Sequence, residues 1–443
     1  MSLLGLKTFR HGVHPPEAKD DTKGMAIRQF PFAPLLVVPL VQHAGKPSLP
    51  VVREGQEVAR GQRIARPDGF LSVAMHAPAS GTVRRIALAP GVSGRMVPAV
   101  YLEPFPGSTQ EVADGRPCPL DAPVGEILTA IQEAGIVGLG GAAFPTHVKL
   151  TIPEGIWIDT LILNGAECEP FLTTDHRVML EQRADIFTGI RYLQRATGAG
   201  RVLVGVESNK PDAAAHLRAG VPVDLPVEIE VLSVKYPQGA EKMLIKALLG
   251  REVPSGGLPS AVGALVVNVA TAAEIGRLLP LGRGIQERVI TVTGPAVTKK
   301  GNYRIPIGTP LRFVLESVGV GPAVRRVFLG GPMMGQAASS LDIPITKGVS
   351  GVVAFDDDLA QGTDQAVYPC IRCGYCLEAC PMFLNPAALG LLARNDEYER
   401  MEAEQNLMDC FECGSCSFVC PAHIPLVQQF RVAKAMVRKR GAA

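Results

Sequence analysis

The chain has 443 residues, of which 47% are hydrophobic and 19% charged, so it can form several packed cores and is not a disordered protein. Its 44 lysines and arginines against 42 aspartates and glutamates do not favour a nucleic-acid binder held by bulk charge. No apolar run reaches the roughly 18 residues that cross a bilayer, and no secretory signal is visible. We therefore expect an intracellular protein of about three domains.

The cysteines are concentrated near the C-terminus, where eight of the ten fall between Cys370 and Cys420. In a chain without an export signal, such a cluster indicates metal binding rather than disulfides. Two runs share the spacing C-x-x-C-x-x-C-x-x-x-C-P of bacterial two-cluster ferredoxins. They comprise Cys370, Cys373, Cys376 and Cys380, followed by Cys410, Cys413, Cys416 and Cys420.

In ferredoxins of this type the fourth cysteine of each run binds the cluster of the other run. The spacing therefore predicts two [4Fe–4S] clusters. One would be held by Cys370, Cys373, Cys376 and Cys420, and the other by Cys380, Cys410, Cys413 and Cys416. The alternative is a pair of zinc sites, because zinc also takes four thiolates, but the duplicated spacing is far more typical of iron–sulfur clusters.

The N-terminal part carries a β-pattern interrupted by glycines. Gly-Gln pairs begin at Gly55 and Gly61, and residues 77–83 supply a returning strand. This pattern resembles the lipoyl/biotinyl barrel-sandwich hybrid fold. No lysine occurs between Lys46 and Lys149, so no amine is available to carry a lipoyl or biotinyl arm. We expect a structural domain.

The middle of the chain alternates helices and strands. Apolar runs at 157–164 and 201–206 suit buried strands of an α/β sheet, and residues 127–134 and 241–249 suit helices. A smaller unit follows, with strands predicted at 288–293 and 324–329 and a short helix at 310–317. The stretch 356–362 is acidic, and we expect it to be a linker into the cysteine-rich module.

A glycine-rich loop opens the α/β region. Gly138, Gly140 and Gly141 precede Lys149, and small residues followed by a lysine can form a phosphate cradle. By itself this signal is weak, because the loop is neither a Walker loop nor a complete G-x-G-x-x-G fingerprint.

Four segments in order, at residues 138–149, 162–170, 236–242 and 266–271, resemble motifs of the FMN-binding, NADH-oxidising subunit of respiratory complex I. The resemblance implies non-covalent FMN bound by these segments and NADH placed near Phe144 and Glu169. The implied FMN-binding residues are Gly138, Gly140, Gly141, Lys149, Asn164, Glu167, Gly239, Glu241, Asn268 and Thr271.

The whole order of modules resembles the RnfC family, the peripheral NADH-side subunits of the Rnf (Rsx) ion-translocating electron-transport complex. The resemblance implies a multidomain α/β protein with four domains and a tail. These would be a barrel-sandwich domain at 1–120, an FMN/NADH-binding flavoprotein domain at 121–280, a β-grasp (SLBB) domain at 281–355, a helical two-cluster ferredoxin module at 356–430 and a basic tail at 431–443.

The resemblance also implies an oxidoreductase subunit that passes electrons between NADH, through FMN, and the clusters. Its partners would be a ferredoxin-like iron–sulfur subunit and integral membrane subunits, which would hold it at the cytoplasmic face of the bacterial inner membrane. Two alternatives stay open: a cobalamin reductase of the same superfamily, and a non-catalytic wiring subunit with an empty flavin pocket.

Overall fold

The computed structural model of the protein describes residues 5–92, 94–321, 324–356 and 366–441, which form four packed units. None of the helices in these ranges is long and apolar enough to cross a membrane. Apart from residue 356, the predicted linker at 356–362 lies outside the described residues.

The first unit consists of short strands. In chain order its elements are α1 (Asp20–Lys23), β1 (Ile27–Gln29), β2 (Leu36–Pro39), β3 (Leu49–Pro50), β4 (Glu57–Val58), β5 (Arg63–Arg66), β6 (Met75–His76), β7 (Gly81–Pro90) and β8 (Met96–Pro104). Two antiparallel sheets have the orders β2-β8-β7-β4 and β3-β5-β6. Ile64 and Val83, one from each sheet, are fully buried in the same core. The predicted returning strand pairs with β4, as Glu57 lies opposite Thr82.

The second unit is a parallel sheet covered by helices. Its elements are α2 (Val124–Glu133), α3 (Thr146–Leu150), β9 (Thr160–Gly165), α4 (Thr174–Glu181), α5 (Arg183–Thr197), β10 (Arg201–Glu207), α6 (Pro211–Ala219), β11 (Val227–Leu232), α7 (Glu241–Leu249), β12 (Ala264–Asn268) and α8 (Val269–Leu278). The four strands pair in parallel in the order β11-β10-β9-β12. Residues 160–163 of β9 are buried, as expected for a strand with both faces covered.

The third unit is a mixed sheet with one helix. It contains β13 (Glu287–Thr293), β14 (Gly301–Pro306), α9 (Leu311–Val318), β15 (Arg326–Leu329), β16 (Gln336–Ala337) and β17 (Gly351–Phe355). The sheet order is β1-β14-β13-β17-β15-β16. Strand β1 lies within the range predicted for the first domain, yet it pairs in parallel with β14 at the edge of this sheet. The first and third units are therefore joined by strand pairing that spacing alone did not reveal.

The fourth unit is helical. It contains α10 (Tyr375–Ala379), α11 (Pro386–Arg394), α12 (Tyr398–Ala403), α13 (Ser415–Phe418) and α14 (Leu426–Gly441). Helix α14 continues through position 431, so the predicted basic tail is not a separate segment in the described residues but the second half of a helix that packs on α11 and α12.

Three single-turn 3-10 helices complete the described elements. They span Pro259–Val262, Leu279–Leu281 and Leu407–Asp409.

Candidate functional site

The strand order of the second unit creates a crevice. The chain proceeds from β9 to β10 and β11 on one side, and then returns to place β12 on the other side of β9. Ligands of open α/β sheets bind at such a reversal, beyond the carboxyl ends of the strands. Asn164 at the end of β9 lies opposite Asn268 at the end of β12. Two of the predicted flavin residues therefore flank the switch point.

The glycine-rich loop lies over the start of α8 at this crevice. The amide of Leu139 donates to the hydroxyl oxygen of Thr271 at 2.9 Å. A Cβ atom on Gly140 would lie 3.3 Å from the side chain of Asn268, which shows how closely the backbone approaches β12. Gly141 has a φ of 117°, which favours glycine.

Three consecutive amides of this loop are free to bind a ligand. Gly140, Gly141 and Ala142 are exposed, and among the described residues their N–H groups have no hydrogen-bond acceptor. Unpaired amides in a glycine loop form an anion-binding cradle. The crevice therefore fits the phosphate of a flavin mononucleotide.

The other predicted flavin segments reach the same crevice. The side-chain nitrogen Nδ2 of Asn164 donates to the backbone carbonyl of Gly239 at 2.8 Å. The ammonium of Lys149 on α3 forms an ion pair with Glu241 at the start of α7, and both side chains are about one-third exposed. The structure thus brings a cation and a carboxylate together at the edge of the crevice.

Asn268 and Glu167 order the walls of the crevice. Asn268 Oδ1 caps α8 by accepting from the amides of Ala270 and Thr271, and its Nδ2 donates to Asp175 at 2.7 Å. Burial, reinforced by the charge of Glu167, raises the pKa of Asp175 to about 7.

The carboxylate of Glu167 accepts from the amides of Asp175 at 2.7 Å and His176 at 3.1 Å, in the first turn of α4. It therefore occupies the N-terminus of that helix, where a negative charge is favoured.

The two predicted NADH residues have different surroundings. Phe144 is 39% exposed at the end of the glycine loop. The Glu169 carboxylate instead accepts from the amides of Met333 at 3.1 Å and Met334 at 2.7 Å, in the third unit. Burial raises the pKa of Glu169 to about 7. Glu169 thus joins the flavin domain to the third unit.

Sequence reasoning missed several residues that support the site. The ammonium of Lys19 donates to the carbonyls of Glu167, Glu169 and Leu172 at 2.6–2.9 Å. Arg288, buried on β13, donates to the carbonyl of Leu139 at 3.0 Å and so supports the glycine loop from beneath. No local pattern marks these residues, because their partners lie more than 140 positions away in the chain.

The eight predicted cluster ligands separate into two groups of four. Cys380, Cys410, Cys413 and Cys416 line one cavity. The thiol of Cys376 interacts electrostatically with Cys370, Cys373 and Cys420. Each group draws three cysteines from one run and the fourth from the other, as the spacing predicts.

The arrangement of the thiols fits clusters better than single ions. Within the described ranges no three histidine, cysteine or acidic side chains stand close enough to hold one metal ion. A zinc site would require four thiolates about 2.3 Å from one point, whereas Cys380, Cys410, Cys413 and Cys416 line a cavity.

The two cysteine groups differ in exposure. Cys370 and Cys373 are exposed, whereas Cys380 and Cys416 are buried. We call the group of Cys380, Cys410, Cys413 and Cys416 the inner group, and the group of Cys370, Cys373, Cys376 and Cys420 the outer group.

The inner group packs against the flavin domain. The hydroxyl of Tyr236 donates to the carbonyl of Cys413 at 2.6 Å. The backbone of Tyr236 forms hydrogen bonds with the backbone of Val13. The amide of the preceding residue, Gly12, donates to the carbonyl of Ala379 at 3.2 Å. Residues 12 and 13 therefore contact both the cluster module and Tyr236, three residues before Gly239 in the crevice.

Comparison with known families confirms the predicted fold and cofactor classes. Residues 7–105 match the RnfC barrel sandwich hybrid domain and residues 131–277 the Nuo51 FMN-binding domain. Residues 289–337 match the SLBB domain and residues 366–424 a 4Fe-4S dicluster domain.

Solved structures resemble this fold. The crystal structure of an NAD+-reducing [NiFe]-hydrogenase in the H2-reduced state matches with a TM-score of 0.51 and 21% identity, covering 71% of this chain and 63% of that chain. This likeness concerns the fold alone.

Curated relatives match over nearly the full chain. One of them, from the proton-translocating ferredoxin:NAD(+) oxidoreductase complex of Clostridium ljungdahlii, is 43% identical, and the match covers 98% of this chain and 95% of the relative. Another, from the Na(+)-translocating ferredoxin:NAD(+) oxidoreductase complex of Acetobacterium woodii, is 39% identical, with 98% of each chain covered. The chain belongs to the RnfC family of subunits of ion-translocating ferredoxin:NAD+ oxidoreductase complexes.

Proposed function

We propose that FMN binds in the crevice beyond β9 and β12, with its phosphate on the glycine loop from Gly138 to Ala142 and Lys149 as its counter-charge. The observation that carries this proposal is the set of free amides at Gly140, Gly141 and Ala142, placed at the switch point of the sheet. Backbone amides and a nearby ammonium are the groups that bind a phosphate.

The remaining predicted flavin residues act at the walls of the crevice. Asn164, Gly239 and Glu241 would hold the remaining part of the flavin, because they lie together beside β9 and Lys149. The other three residues would position the elements around the flavin. Glu167 and Asn268 bind α4, and Thr271 binds the glycine loop, through the hydrogen bonds described above. NADH would approach from the side of Phe144, whose exposed ring offers a stacking surface.

The chain sets the order of electron transfer through its contacts. FMN held at the glycine loop would supply hydride acceptance from NADH, which would leave as NAD+, and clusters held by the two cysteine groups would carry the two electrons one at a time. Tyr236 connects the flavin domain to the loop of Cys413 in the inner group, and the outer group is exposed. The proposed order is flavin, inner cluster, outer cluster and then a partner; the reverse order serves NAD+ reduction.

The outer group offers a surface for that partner. Three apolar side chains close to it in sequence, Val367, Tyr368 and Ile371, are 53–68% exposed. Such a patch beside a redox centre supports docking of another subunit. We propose a ferredoxin-like iron–sulfur subunit and integral membrane subunits as partners, holding the chain at the cytoplasmic face of the inner membrane.

The flavin site is tested by comparing two glycine substitutions. Gly140→Val places a branched side chain against Asn268 and the phosphate cradle, so the purified protein should release little or no FMN on denaturation while keeping its clusters. Gly125→Val is the matched control, because a Cβ atom at this helical position has no atom within 4 Å; it should retain FMN. Full FMN content and NADH-driven cluster reduction in the Gly140→Val protein would refute the proposed site.

Lys149→Ala tests the counter-charge separately. The substitution removes the ammonium and leaves Glu241 without its partner. FMN binding should weaken by about 1.5–3 kcal/mol, the scale of a hydrogen bond to a charged group. Fluorescence titration of the flavin-free protein with FMN measures this change, and unchanged affinity would exclude Lys149 from the site.

A further inference from the structure

The two halves of the cluster module repeat with an offset of 40 residues, so their charges can be compared position by position. Left-handed backbone recurs at Arg372 and Glu412, and again at Gly374 and Gly414. The two cysteine loops therefore share one conformation. Between the first two cysteines, however, the outer run has an arginine and the inner run has a glutamate.

A second difference lies on the helices that follow. Lys434 on α14 corresponds to Arg394 on α11. Lys434 is only 5% exposed, and its ammonium donates to the carbonyl of Cys410 and lies 3.3 Å from Glu412. Arg431 contacts the same carboxylate at 3.2 Å. Arg394 is exposed. The inner half thus contains a buried cation where the outer half has a solvated one.

Burial and charge act on a cluster in opposite directions. A [4Fe–4S] cluster held by four thiolates becomes more negative when it is reduced, so burial disfavours the reduced state and a nearby cation favours it. The buried Cys380 and Cys416 indicate that the inner cluster is the more desolvated of the two. Without compensation it would be the harder one to reduce.

We propose that Lys434 raises the reduction potential of the inner cluster and so offsets the effect of its burial. Glu412 limits this increase because its carboxylate lies beside the ammonium. The potentials of the two clusters then lie close together, and a single electron passes between them without a large uphill step. This proposal rests on the proposed function and on the assignment of Cys380, Cys410, Cys413 and Cys416 to one cluster.

The test is a redox titration of the purified full chain followed by electron paramagnetic resonance. Lys434→Gln should lower the midpoint potential of the inner cluster. The equilibrium constant for reduction should fall on the order of tenfold, or about 59 mV for one electron, from a unit charge roughly 10 Å away at an effective dielectric constant of about 20. Glu412→Gln should shift the potential upwards, and Lys434→Arg should leave it near the wild-type value.

The repeat supplies a matched control. Arg394→Gln removes a cation at the corresponding exposed position and should leave the inner potential unchanged. Shifts of the same sign for Lys434→Gln and Glu412→Gln, or unchanged potentials in both, would overturn the proposal. If Lys434→Gln does not assemble the inner cluster, Glu412→Gln decides alone, because only an upward shift agrees with the proposal. An incorrect ligand assignment would appear separately, as loss of the outer cluster in Cys380→Ser.

Discussion

The hydroxyl of Tyr236 donates to the carbonyl of Cys413 at 2.6 Å, which links the segment that leads to Gly239 directly to the inner cysteine loop. Tyr236 is 1% exposed, and burial holds the pKa of its hydroxyl well above the ordinary value, so it stays a neutral donor. A hydrogen bond in this position fixes the distance between the flavin crevice and the inner group. The contact is a direct polar connection between the two redox modules.

Removing that hydroxyl should loosen the cluster module. Tyr236→Phe leaves the half-buried carbonyl of Cys413 without its donor, at a cost of about 1–3 kcal/mol. The denaturant concentration at which cluster absorbance is lost should fall. Tyr398→Phe is the control, because it removes a hydroxyl bonded to Asp396 on the surface of the same module at 2.5 Å. Equal midpoints in the two variants would contradict the structural role of Tyr236.

The exchange of ligands between runs predicts an unusual mutational effect. Cys380 belongs to the first run but lines the cavity of the inner group. Cys380→Ser should therefore damage the cluster held by Cys410, Cys413 and Cys416, and should preserve the outer one. Mössbauer and paramagnetic resonance spectra would distinguish the clusters, with Cys420→Ser as the reciprocal variant. Loss confined to the outer cluster in Cys380→Ser would refute the assignment.

Glu169 should make stability depend on pH. Its pKa is raised from 4.5 to about 7 by burial, so between these values the folded protein binds more protons than the unfolded chain. The contribution of Glu169 to stability is complete below about pH 4.5 and is lost as the pH rises through 7, a change on the order of 3 kcal/mol.

Glu169→Gln removes the titrating group while keeping an oxygen acceptor for the amides of Met333 and Met334. The unfolding free energy of the wild type minus that of the variant should decline as the pH rises from about 4.5 to about 7. Glu154→Gln, at an exposed position, should show no such trend. A constant difference for Glu169→Gln would exclude the raised pKa.

Several elements could be predicted from the sequence because their signals are local. The helix predicted at 241–249 is α7, which ends at Leu249 and is capped by Gly250 with a φ of 72°. The strand predicted at 201–206 lies within β10, which extends to Glu207. The separation of the cysteines into two mixed groups is predictable from their spacing, because in two-cluster ferredoxins of this spacing the fourth cysteine of each run binds the cluster of the other run.

The remaining features depend on contacts across the chain. Strand β1 pairs with β14 from about 275 positions away, and nothing in three residues specifies that partner. Lys19 and Arg288 support the flavin loops through backbone carbonyls, which carry no sequence signature. The sequence predicts a separate basic tail at 431–443, whereas Lys434 is buried and donates to the carbonyl of Cys410. The contacts of β1, Lys19, Arg288 and Lys434 are determined by the fold of the whole chain and not by local composition.

We propose that electrons from the flavin reach the outer cluster only through the inner one. Rapid mixing of the holoprotein with NADH, followed by freezing and paramagnetic resonance, tests this order most directly. In the wild type the inner signal should appear before the outer one. In Cys413→Ser the flavin should bleach at the wild-type rate while the outer cluster stays oxidised. Reduction of the outer cluster at the wild-type rate in that variant would contradict the account.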